Sequence, residues 1–136
     1  MEELFALLEN NQIEEAYQGF KKVYEETKNI VALFYIVLIE MDYHEEIDQQ
    51  EILQKCLILV KSSNKEIRMA SYLPCLSICL DLDDYQHCYE IASLALKENV
   101  VGFLSYYAYA KGLYFFKKVN KVDEIETYVN KALEDA

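Results

Sequence analysis

Proline occurs once in the 136 residues, at Pro74, and glycine three times, at Gly19, Gly102 and Gly112. β-Hairpins and glycine-rich phosphate loops therefore have almost no raw material. Tryptophan is absent and histidine occurs twice. No H-E-x-x-H, nucleophile elbow or phosphate loop can be read, so the chain is not expected to be an enzyme. Positive charge is scarce as well: 13 Lys and Arg face 24 Asp and Glu, a formal charge of −11. Such a surface repels phosphate backbones and anionic lipid, so neither nucleic acid nor a membrane is an expected partner. A basic protein, by contrast, is attracted and meets it faster. Long hydrophobic runs are missing too, since the nearest, IVALFYIVLIEM at 30–41, falls short of a bilayer span. The acidic start MEELFALLENN lacks the basic and apolar regions of a signal peptide. With no export signal, Cys56, Cys75, Cys79 and Cys88 are expected as reduced thiols in a cytoplasmic protein.

What is present is helical periodicity. Leu, Glu, Lys and Ala are abundant, and apolar residues recur at helical spacing nearly everywhere. Short polar breaks at Asn10–Asn11, Asn29, His44–Glu46, Ser62–Asn64, Asp81–Asp84, Asn99 and Asn120 divide the chain. They predict one domain over 1–136 with eight helices, at about 2–10, 13–27, 30–43, 47–61, 65–80, 84–98, 101–119 and 122–134. Alternate helices repeat one pattern. Apolar or small residues fall at Ile13, Ala16, Phe20, Val23 and Tyr24. They recur at Ile52, Cys56, Leu59 and Val60, at Tyr85, Cys88, Ala92, Ala95 and Leu96, and at Val122, Ile125, Val129, Ala132 and Leu133. The registers start at 13, 49, 85 and 122, steps of 36, 36 and 37. A near-constant step of this size predicts an all-α array of antiparallel helix pairs, each unable to bury its apolar face alone.

These residues resemble the tetratricopeptide repeat. In AKGLYFFKKVNKVDEIETYVNKAL, residues 110–133, Gly112 stands for the small residue of a first helix, with Phe115 three positions on; Ala16-x3-Phe20 is similar to the A-x3-F of a second helix. The step exceeds the family's 34 residues, the tryptophan is missing, and no proline closes the second helices. Pro74 instead falls inside a first helix, which it is expected to kink or interrupt. The first copy looks truncated, because Met1 stands partway along its first helix.

The resemblance implies a concave groove lined by first helices. Taking Gly112 as the register mark places Tyr106, Tyr109, Leu113 and Phe116 there. One step back lie Met69, Tyr72, Leu76 and Cys79; a further step gives Leu33, Ile36, Glu40 and Tyr43. The lysine and asparagine clamp that chaperone-binding members of the family use for a terminal carboxylate is absent at these positions. In FLSYYAYAKGLYFF, residues 103–116, Phe103, Tyr107 and Tyr114 are expected in the core, and Tyr106, Tyr109 and Phe116 in an interface. A more curved stack that closes over the whole arc is the alternative.

Two clusters remain. Cys75, Cys79, His87 and Cys88 can be drawn as a zinc site, but the spacing is not a compact knuckle. Cys56 aligns with Ala92, Cys88 with Ala16 and Cys75 with Gly112, so the thiols read as small packing residues, and neither metal nor cofactor is expected. Asp81-x-Asp83 lacks the glycine and distant glutamate of a calcium loop. Acids in the turns after the first helices of the second and third repeats line up along one edge. Glu40, Asp42, Glu45, Glu46, Asp48, Asp81, Asp83 and Asp84 form this ridge, which is either solvated or a docking strip.

The expected function is non-enzymatic binding of a basic protein or peptide, as by an immunity protein, antitoxin or dedicated chaperone. The acids would steer the partner, and Tyr43, Tyr72, Tyr106, Tyr109 and Phe116 would anchor it. A peptide-sensing or oligomerising module, with a homodimer covering Val122, Tyr128 and Val129, is the alternative, and a metal or redox protein built on the cysteines a third.

Overall fold

The computed structural model describes every residue except Val119 and Lys121. Its described residues form eight α-helices and one π-helical segment, with no strand. The helices are α1 (Glu2–Glu9), α2 (Ile13–Thr27), α3 (Ile30–Tyr43), α4 (Gln49–Leu59), α5 (Lys65–Asp81), α6 (Tyr85–Lys97), α7 (Phe103–Lys111) and α8 (Val122–Glu134). The π segment, Gly112–Phe116, continues α7. The even helices therefore start at 13, 49, 85 and 122, the register starts seen in the sequence. The predicted end of the seventh helix, at 119, lies outside the described residues.

Local chemistry sets the boundaries. Asn29, Asp48, Asn64 and Asp84 cap the starts of α3 to α6, each side chain accepting a bond from a backbone N–H of the first turn. Asn11, Lys28, Asp83, Asn99 and Lys118 adopt the left-handed conformation in turns, and three of the five are the Asn or Asp that tolerates it best. Pro74 does not end α5. It removes one N–H that would bond Ala70, an exposed residue whose carbonyl water can satisfy.

Each helix packs on the next in sequence, and α3 packs on α5 and α5 on α7. The main core joins α3 to α7 around Leu33, Leu53, Cys56, Tyr72, Leu76, Ile91 and Ala95. A second cluster joins α2 and α3 through Ala16, Tyr17, Phe20, Ile36 and Ile39, with Phe5 and Tyr35 packed on it. Helix α7 meets α6 through the last glycine. A methyl group at Gly112 would lie 2.5 Å from Tyr89 Cβ and 2.8 Å from Tyr89 Cα, so only glycine permits this approach.

Much of the expected groove arc is buried. Leu33, Ile36, Leu76, Cys79 and Leu113 are each at most 3 % exposed, and the first four belong to the core clusters, while Tyr43 and Phe116 of the same arc stay exposed. The expectation for 103–116 is corrected in the opposite sense: Phe103 and Tyr114, assigned to the core, are 40 % and 59 % exposed. The π segment accounts for part of this. A π turn accommodates one inserted residue, and the step containing it is the one of 37. Leu113 stays buried like its counterpart Leu76, but Phe116 is turned out where its counterpart Cys79 is fully enclosed.

Candidate functional site

The acidic ridge separates into structural and free carboxylates. Glu40 is a correction: at 2 % exposure it is inside the fold and faces no partner. Lys55 Nζ lies 2.5 and 2.7 Å from its two oxygens, and Tyr17 Oη donates to it at 2.7 Å. The cause is helical register, which turns position 40 from α3 toward α2 and α4, where a carboxylate survives only if fully paired. Burial and the Glu40 carboxylate together push the Tyr17 phenol well above its ordinary range. Tyr72 is the second correction. It is 1 % exposed and donates to Glu98 at 2.7 Å, while Arg68 grips the same carboxylate, with Nη2 2.6 Å from Oε1. Burial, with Glu98 beside it, raises the Tyr72 phenol to about 12. Both side chains have their hydrogen bonds met within the fold, although Glu40 also borders the hollow lined by Leu33, Ile36 and Lys55.

Asp48 and Asp84 are occupied as helix caps, bonding the N–H of Gln50 and of His87. Asp84 also holds His87 Nδ1 at 2.6 Å. Glu46 accepts from its own backbone N–H and from His44, which hold its carboxyl below the usual range. The His44 ring reaches Glu46 at 2.7 Å and Glu14 at 3.1 Å, and it packs on Tyr17 with ring centroids 4.4 Å apart. The start of α2 and the α3–α4 turn are thereby tied together.

Asp42, Glu45 and Asp81 line a cavity of about 450 Å³ between the α3–α4 turn and the end of α5. Its walls include the apolar Met41, Ile47, Ile52 and Ile78. Gln49 reaches across to Asp81 at 3.5 Å. The combination of apolar walls and carboxylates suits a long cationic side chain, whose methylene stem needs cover and whose head needs charge. Tyr43, at 60 % exposure, stands beside this site, and with Asp42 it also lines a smaller hollow against α1 and α2. Asp83 is exposed and close enough to raise the Lys111 ammonium, although Tyr107 contributes most to that shift.

At the C-terminal end the predicted anchors are drawn into an aromatic cluster. Tyr109 stacks on Tyr89 at 5.3 Å and meets the edge of Tyr128 at 4.5 Å; burial first, then Tyr89, raises its phenol to about 12. Tyr106 approaches Tyr128 at 6.4 Å, and Lys131 caps both rings at 5.6 and 5.0 Å. Phe116 is 38 % exposed and lies 6.0 Å from the Tyr89 ring. These three therefore stay at the surface or half-buried, apart from Tyr43 and the carboxylates. Inspection of the sequence missed Tyr114 and Phe115, which are 59 % and 45 % exposed; Phe115 stacks on Tyr85 at 4.4 Å. The signal available was the extra residue in the last step.

All four cysteines are buried free thiols. Cys75 is pushed far up by its hydrogen bond with Cys56 and by burial, and burial first, then the Asp84 carboxylate, raises Cys88 to about 12, so neither is poised as a nucleophile or ligand. Among the described residues no group of three or more His, Cys, Asp or Glu is placed to hold a metal, and no helix is long and apolar enough to cross a membrane. Compared with protein-family models, curated proteins and solved structures, the chain matches none.

Proposed function

We propose that this chain is a non-enzymatic binding protein, a tetratricopeptide-like array of antiparallel helix pairs whose acidic edge caps a basic protein or peptide in the cytoplasm. Support for the array is the recurrence of even-helix starts at 13, 49, 85 and 122 and the packing of α3 on α5 and α5 on α7. The observation that carries the binding reading is the 450 Å³ cavity with Asp42, Glu45 and Asp81 around apolar walls. A lysine or arginine of the partner enters there, and Tyr43 and Asp83 extend the contact on either side. Action as an immunity protein, antitoxin or dedicated chaperone follows from this kind of capping. The net charge of −11 steers the encounter, so complex formation slows steeply as salt shortens the Debye length.

The test is to recover what the tagged protein holds in its own cells, washing at low and then at high salt. One basic protein released by salt, and lost from Asp42→Lys/Glu45→Lys, is the expected result. Recovery that ignores both salt and the charge reversal would sink the reading. A second reading, an oligomerising or peptide-sensing module, is favoured by a separate observation: the apolar Tyr114, Phe115 and Phe116 stand exposed, as does Val122 at the start of α8.

A further inference from the structure

That exposed aromatic turn has a complement on the protein itself. We propose that Tyr114, Phe115 and Phe116 of the π segment, with Lys117 and Lys118 after them, dock a second copy of this chain, seating on that copy's acidic edge while its own acidic edge receives the same residues of the other copy.

The turns that join first to second helices lie along one physically continuous strip. Glu14 of α2 reaches His44 of the α3–α4 turn at 3.1 Å. Residues of that turn share a cavity with Asp81 at the end of α5. Asp83 influences Lys111, and Tyr85 stacks on Phe115. The strip changes character along its length. Its middle carries the exposed or cavity-lining carboxylates Asp42, Glu45, Asp81 and Asp83. Its end carries the exposed Lys117 and Lys118 beside Tyr114, Phe115 and Phe116, with Asp123 the nearest exposed acid in sequence among the described residues.

A strip that is acidic in the middle and basic-aromatic at one end is self-complementary under a two-fold axis. Two copies set antiparallel place each lysine-aromatic turn on the other's carboxylates, so one contact is made twice, which is the isologous arrangement of most dimers. The fit is chemical as well as electrostatic. The cavity between Asp42, Glu45 and Asp81 accepts a lysine stem and head, and the aromatic side chains cover the apolar residues around it. Parallel or head-to-head pairing would oppose carboxylate to carboxylate in chains that each carry −11.

This inference rests on the acidic edge being a docking strip, and it names a second copy as an occupant. Its test uses sedimentation equilibrium of the full chain and two variants, Lys117→Glu/Lys118→Glu and Asp42→Lys/Glu45→Lys, each checked for unchanged helical circular dichroism. The parent dimerises, and each variant alone associates at least tenfold more weakly. An equimolar mixture of the two recovers the dimer, because each supplies the charge the other has reversed. A parent that stays monomeric at every concentration, or a mixture that fails to recover, overturns the proposal. If the monomeric parent still binds a lysine-rich peptide through Asp42 and Glu45, the dimer alone is refuted; if it binds neither, the acidic edge falls with it.

Discussion

Residues 1–100 hold 19 acids and 8 bases, which accounts for the whole net charge of −11; residues 101–136 hold five of each and are neutral. The two regions also invert the usual placement of residue types. In the first, a glutamate is sealed inside the fold, Glu40 at 2 % exposure. In the second, three consecutive aromatics stand out in solvent, Tyr114 at 59 %, Phe115 at 45 % and Phe116 at 38 %. Composition therefore says little about role here. The acid-rich part uses several of its acids to hold structure, and the apolar end leaves much of its apolar surface unused. Buried polar groups and exposed apolar groups are the informative exceptions in a fold; here a buried charge lies in the first region and the run of exposed aromatics in the second.

The sharpest way to break the comparison is to remove the buried acid. Glu40→Ala leaves the Lys55 ammonium and the Tyr17 hydroxyl without their shared acceptor. Stranding one member of a buried pair costs about 3 kcal/mol or more. Asp42→Asn, two positions on but exposed, should change stability by no more than about 0.5 kcal/mol. Urea unfolding of both variants measures the contrast, and equal losses would show that position 40 is not special.

Gly112→Ala is next in size. Its methyl group would meet the backbone of Tyr89 at 2.8 Å, so α7 must move away from α6. Overpacking of this kind costs about 1–3 kcal/mol, and the same melt should show lost Tyr89–Tyr109 stacking in the near-ultraviolet circular dichroism. Here the limits of sequence reading are visible. Helix positions were legible because polar breaks and caps such as Asn29 and Asp48 are local signals. Burial was not, because it depends on how far each helix turns about its own axis. Gly112 was recognised as a close-packing residue, but the inserted π turn that starts there rotates the residues of the segment, so Tyr114 was assigned to the core from a register that no longer applied, whereas Phe116, expected in an interface, is indeed exposed. Glu40 and Tyr72 failed for a related reason. Nothing in the sequence reveals that Lys55, 15 residues on, and Glu98, 26 residues on, arrive to satisfy them.

The Tyr72–Glu98–Arg68 group predicts a smaller, pH-dependent effect. Tyr72→Phe loses one hydrogen bond to a carboxylate that Arg68 still holds, a cost of about 1 kcal/mol. Arg68 and Tyr72 hold the Glu98 carboxyl below its ordinary value. Its contribution is therefore complete above the unfolded carboxyl range and disappears as pH falls through the lower, folded value. Tyr72 acts in the opposite sense. Its phenol is raised from 10.0 to about 12, so its contribution is present below pH 10 and is lost between there and about 12. Chemical denaturation across pH should give a plateau with both shoulders, and Tyr72→Phe should flatten the alkaline one. An unchanged alkaline shoulder would place its origin elsewhere, with Tyr109 the next candidate.

The smallest expected effect tests the other half of the comparison. Tyr114→Ser removes a large aromatic side chain that is 59 % exposed and contacts Phe115 edge-on at 4.8 Å. In a typical core such a truncation costs about 3–5 kcal/mol. At this surface it should cost no more than about 0.5 kcal/mol in the monomer, since little area returns to water. A melting temperature that hardly moves, measured at a concentration where the chain is monomeric, is the expected outcome. A core-sized loss there would mean that Tyr114 packs inside the fold, and the aromatic turn would then have no free surface to offer a second copy. Because the same residue sits in the proposed contact, a small loss in the dilute monomer that grows with protein concentration would separate what Tyr114 does for folding from what it does for association.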